Sequence, residues 1–136
     1  MFRFDQVFQD EAQYCLKKVL FQGPEAENDD FELDIEDGMR IQHCEDTQLV
    51  VILSRTVYLN EAKNIKVSVS YEADFNTREG MHIPDDVNEK EVLDAFIEEK
   101  SAFICMIFSR CALIIAQLTS AVGQPPIITP GVYIEA

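Results

Sequence analysis

The chain is 136 residues long, with 11 basic and 25 acidic side chains and a formal net charge of −14. Hydrophobic residues make up 47% of it, enough for one globular domain and too much for a disordered chain. The acidity argues against nucleic acid, whose binding rests on cationic neutralisation of phosphates, and against anionic membrane surfaces; it favours solubility and basic partners.

Phe2, Phe4 and Phe8 predict a weak opening strand interrupted by polar residues. Arg3 and Asp5 break any apolar stretch there, so no signal peptide is expected and the expected compartment is the cytoplasm. Cys15, Cys44, Cys105 and Cys111 have no tight spacing and are expected to be reduced core thiols. Val19-Leu20-Phe21-Gln22-Gly23-Pro24 spells the recognition sequence of a viral cysteine protease used to cut fusion tags; it is read as a loop, engineered or native. The acidic stretch 24–30 is read as a mobile continuation of it.

Phe31-Glu32-Leu33-Asp34-Ile35-Glu36 alternates with period two and predicts a strand with one wet face. Residues 48–59 are apolar on both faces through Leu49–Leu53, as in a central strand. Residues 65–75 alternate from Ile65 to Phe75 without error. The hairpin-length connection 60–64 makes these two strands antiparallel neighbours. Asn88 and Glu91 form a capping box, with Val92, Ala95 and Phe96 at helical spacing behind it. A second helix runs over 101–122 and stops at Gly123 and Pro125-Pro126; the tail 127–134 is expected to be extended and half buried. The elements predict a single α+β domain over 1–136.

The helix over 101–122 is apolar almost all round. Its length suits a membrane, but Arg110 at its centre opposes insertion by roughly 3 kcal/mol, and Ser109, Gln117, Thr119 and Ser120 add polarity. No membrane insertion is expected. A helix covering one sheet needs only a stripe about 100° wide, and here Arg110 and Gln117 mark one narrow polar line. The surplus apolar surface is expected to meet residues 89–99, the tail or another subunit, and a homo-oligomer is the preferred consequence.

Chemistry is sparse. His43 and His82 have no HxxxH or HxH spacing, and no CxxC, Gly-rich phosphate loop or GxSxG elbow occurs. The acidic pairs Asp29/Asp30, Asp85/Asp86 and Glu98/Glu99 suit solvated surfaces. No enzyme, metal or cofactor is expected.

The order of elements, with Phe31–Ile35, 65–75 ending in Phe75, Arg110 inside the long helix, and then Gly123, Pro125-Pro126 and Pro130, resembles the SecB-like superfamily of export chaperones. The resemblance implies a four-stranded antiparallel sheet packed against a long C-terminal helix, assembled as a dimer or tetramer. It further implies ATP-independent binding of unfolded or extended polypeptide clients. The groove residues it suggests are Val67, Val69, Tyr71, Phe75, Phe103 and Ile107. The matching strand begins Lys66, Ser68, Ser70 and is acidic only at Glu72 and Asp74, unlike the acidic face with which the family docks its translocation motor. Two alternatives stand beside this reading: a dedicated partner-binding adaptor of toxin–antitoxin or phage type, and a small-molecule or enzymatic site enclosed between sheet and helix.

Overall fold

A computed structural model describes residues 2–22, 33–59, 64–121 and 126–133. Its elements are α1 (Phe4–Val7), β1 (Gln13–Phe21), β2 (Leu33–Glu45), β3 (Gln48–Leu59), β4 (Asn64–Asn76), α2 (Glu89–Glu99) and α3 (Ser101–Ala121). The strands form one antiparallel sheet in the order β1-β4-β3-β2. This is the expected α+β architecture. Strands β3 and β4 lie in the middle, as the two-sided apolarity of 48–59 requires.

Two helices close one face. Asn88 caps α2, its side-chain oxygen accepting from the Glu91 amide at 2.8 Å. Lys100 leaves the helical path between α2 and α3, yet its carbonyl already accepts from the Ile104 amide at 2.9 Å, so the second helix starts at once. Twenty-one residues give α3 a length of about 32 Å. It lies over β3 and β4, burying Ile104, Ile107, Phe108, Cys111 and Ile115 on Leu49, Val51, Leu53, Val57, Val67, Val69 and Phe75. By length and composition α3 would also span a membrane. Its packing on the sheet is a second use for the same apolarity, which the dry stripe fulfils.

The opening stretch is the first correction. Phe4–Val7 is one helical turn, not a strand, and the edge strand begins nine residues later at Gln13. Gln6 interrupts the period-two set of Phe2, Phe4 and Phe8, while Phe4 and Phe8, four apart, have the spacing of one helical face. A turn of helix instead brings Phe4 and Phe8 together, with centroids 4.6 Å apart, against Phe75 and Phe96. Glu99 fastens this turn by accepting from the Phe4 and Asp5 amides at 2.7 and 3.1 Å. Burial acts to raise the Glu99 carboxyl; the two amides and Arg3 outweigh it and hold the group below its ordinary value. A depressed folded value stabilises the fold above the unfolded value of 4.5 and ceases to do so as pH falls through the folded one. Acid titration should therefore release the N-terminal turn in wild type but leave a Glu99→Gln variant nearly flat over the same range, as amide exchange at Phe4 and Asp5 will report.

The second correction concerns Val19–Phe21. They are not loop: they pair with Val67, Ser68 and Val69 in β1, and the fit to a protease recognition sequence extends through Gln22 to Gly23 and Pro24, of which the last two lie outside the described residues, as does the stretch 24–30. The strand predicted over 31–36 is longer than expected, running to Glu45 and turning back through Asp46 with φ of 52°. Short Asp side chains tolerate that left-handed conformation. The hairpin connection 60–63 is outside the described residues, but the β3–β4 pairing it was expected to make is present.

Candidate functional site: an apolar shelf beside the long helix

Two flanks of α3 meet different neighbours. On the β2 side the C-terminal segment 126–133 folds back along the helix. Tyr133 stacks on Phe108 at 5.5 Å, Ser109 donates to the Gly131 carbonyl at 3.2 Å, and the Ile127 amide donates to Thr119 at 2.8 Å. The anchor is Arg55, wholly buried in the middle of β3. Its guanidinium grips Asp37 of β2 in a bidentate pair at 2.7 and 2.8 Å. The remaining donors reach Thr129 at 3.0 Å, the Val132 carbonyl at 2.6 Å and the Pro130 carbonyl. Phe108 covers the group at 5.3 Å. One arginine thus satisfies a buried carboxylate and ties down the tail. Gly131 packs close to the helix: a Cβ there would come within 2.5 Å of the Ser109 oxygen, which would have to turn away from its hydrogen bond to the Gly131 carbonyl.

Asp37 is the buried carboxylate that an enzymatic or small-molecule site between sheet and helix would need. Its bidentate partner makes it structural, and the layer around it is packed apolar side chains. One surface cleft among the described residues, about 440 Å³, lies between Cys44–Asp46 and the loop Ile83–Glu89, away from Asp37.

On the β1 side none of the described tail residues covers the helix, and the sheet continues past it. Tyr14, Leu16, Val19 and Phe21 pair with Ala73, Tyr71, Val69 and Val67, so they share the apolar face of the sheet. Three of them are open: Tyr14 is 37%, Leu16 47% and Val19 39% exposed. Odd and even positions lie on one face because β1 holds an extra residue at Lys17, between the Leu16–Tyr71 and Lys18–Ser70 pairs. Lys17 swings to the polar face, where it meets Gln42, the extra residue of β2, at 2.5 Å and Glu72 at 3.4 Å. The wall of the shelf is α3. Phe103 lies edge-on to Tyr14 at 5.9 Å, Arg110 covers the same ring at 5.3 Å, and Leu113, 58% exposed, stands three residues further along. An open apolar strip on an edge strand is a surface for a partner, since edge backbone and face side chains are both available.

The six residues suggested for a groove fall differently. Val67, Val69, Phe75 and Ile107 are sealed between β4 and α3, and Tyr71 is buried, so these five form the core beneath the helix and not an open groove. The helix sits directly on β4, which removes that face from solvent. Phe103, half-buried, reaches the shelf through Tyr14, whose ring also lies 6.5 Å from that of the buried Tyr71. Tyr14, Leu16, Val19 and Leu113 are the surface residues that the sequence reading did not find.

The thiols divide in the same way. Cys111 is buried beneath α3 against the Val69 carbonyl, Cys44 and Cys105 are half-buried, and Cys15 is exposed on β1. Burial, against the pull of Arg55, pushes the Cys111 thiol up to about 12. Only Cys15 of these two is expected to react with iodoacetamide near pH 8 in the folded protein, with Cys111 labelled after denaturation; peptide mass mapping will distinguish them. Among the described residues no group of three His, Cys, Asp or Glu side chains converges as a metal site.

No protein-family model matches the chain. No curated protein matches it at a significant level. Solved structures do. The SecB-like chaperone Rv1957 of Mycobacterium tuberculosis, in complex with a ChAD peptide from the Rv1956 HigA1 antitoxin, superposes with a TM-score of 0.58 over 92% of this chain and 90% of its own, at 16% identity. The fold is SecB-like: four antiparallel strands with helices following on one face.

Proposed function

We propose that this protein binds extended or non-native polypeptide without nucleotide, on the shelf formed by Tyr14, Leu16 and Val19 with Phe103 and Leu113. The observation that carries the reading is the shelf itself, three contiguous apolar side chains left open on an edge strand of a folded domain. Such a surface accepts many sequences, because apolar contact and edge-strand pairing ask little of a partner's side chains. The charge of −14 would keep a loaded complex soluble and draw in basic segments. The binding is passive and non-enzymatic, and a cytoplasmic site of action suits the free thiols.

Two physiological settings fit. One is general or export-linked chaperoning. The other is a dedicated adaptor for one partner, a reading favoured by the SecB-like neighbour having been solved with an antitoxin peptide. Shared fold does not choose between them. The apolar surface of α3 exceeds what its own sheet covers, since only Ile104, Ile107, Phe108, Cys111, Ile115 and Thr119 are buried, so a dimer or tetramer is part of the proposal.

The test is suppression of aggregation of a reduced, unfolded client. Protection at stoichiometric ratios supports a general chaperone; no effect at several-fold molar excess overturns it. Light scattering on an eluting peak should give the mass of two or four chains.

A further inference from the structure

Within the shelf one side chain is out of keeping with its surroundings. Arg3, Lys17, Arg55, Arg78 and Lys100 each have a carboxylate within 4.0 Å. Arg110, in a chain with 25 acidic residues, has no carboxylate within that distance among the described residues; Lys18, Arg40 and Lys90 share that lack, but of these four Arg110 is the one that lies over the Tyr14 ring of the shelf. Its Nε donates to the Met106 sulfur at 3.1 Å, and its guanidinium lies over the Tyr14 ring at 5.3 Å. A thioether is a weak acceptor, and a guanidinium has five N–H donors in a planar fork. Resting on Tyr14 and Met106 fixes the fork without using the donors along its edge, which are left toward solvent at the rim of an apolar strip.

We infer that Arg110 selects what the shelf binds: an extended segment carrying an acidic side chain two residues away from an apolar one. This rests on the polypeptide-binding reading above and names its specificity. The spacing follows from geometry. Alternate side chains of an extended segment point the same way about 7 Å apart, so an apolar residue seated on Leu16 and Val19 brings the residue two positions away to the Tyr14 end, where Arg110 stands. A carboxylate there receives two parallel N–H bonds from a fork already held in place. The rest of the molecule repels acids, so the preference is local: it depends on which face of the segment the acid occupies and not on the segment's net charge.

The experiment uses the full chain and two fluorescent peptides of identical composition, both blocked at their ends. One carries Asp two residues from the first of two alternating leucines. In the other, that Asp and its neighbour are exchanged, so the acid points away from the shelf. Fluorescence anisotropy at physiological ionic strength should show the first binding about five-fold more tightly, the size expected of a well-oriented exposed ion pair. Arg110→Gln should remove the difference, and Arg110→Lys, a point charge without the fork, should keep only part of it. Equal binding of the two peptides to the wild-type protein overturns the role of Arg110 and leaves the shelf intact. Binding of neither overturns both.

Discussion

Replacing Arg55 by Met should unfold the protein or leave it barely folded. The substitution removes a charge that is wholly buried and abandons the Asp37 carboxylate in the same dry layer, together with the Thr129 hydroxyl and the Pro130 and Val132 carbonyls. Breaking one side of a buried ion pair costs about 3–5 kcal/mol, against a total stability of about 5–15 kcal/mol for a domain of this kind. A double variant, Arg55→Met with Asp37→Leu, removes both charges and should recover much of the loss, because two apolar groups of similar shape leave no orphaned carboxylate. Urea denaturation followed by circular dichroism separates the two results. If the single variant is as stable as wild type, the pair is not what holds the tail to the sheet.

The shelf gives the second large effect, this time on binding and not on the fold. Leu16 and Val19 are about half exposed, so Leu16→Glu with Val19→Glu removes little packing from the core. A client that covers them buries apolar area worth roughly 1–2 kcal/mol at each. The new carboxylates would instead have to be desolvated beneath the client. Together these should weaken client binding about a hundred-fold, at 1.4 kcal/mol per decade. The control is a matched substitution on the opposite face of β1, Lys18→Glu, which alters the net charge by the same amount but leaves the shelf apolar. Equal weakening by both would mean that the surface acts through net charge alone. The double variant should also melt within a few degrees of wild type; a large fall would mean that its binding defect comes from unfolding.

Strand β1 shows why the site was harder to see than the fold. Read as a plain period-two pattern, Tyr14 and Leu16 continue into Lys18 and Leu20, which points a lysine at the core and gives no coherent apolar face. The bulge at Lys17 shifts the register by one, and Val19 and Phe21 then join Tyr14 and Leu16. A bulge of this kind is fixed by the neighbouring strand, whose pairing partners lie more than fifty residues away. The same distance hid the purpose of Arg55. In sequence it is a charge inside an apolar run; its partners come from β2 and from a tail beginning more than seventy residues later.

What the amino-acid order determined by itself was local. Side-chain alternation over 65–75, two-sided apolarity over 48–59, the Asn88–Glu91 cap and the glycine and prolines after residue 122 each settle an element from its own residues, since strand and helix periods are properties of neighbouring dihedrals. The tertiary structure alone decided which apolar residues are covered. Val67, Val69 and Ile107 are as hydrophobic as Leu16, Val19 and Leu113, yet the first three are sealed and the last three are open. The difference lies in where α3 comes to rest: over β3 and β4, with the tail filling one flank and nothing in the described chain filling the other.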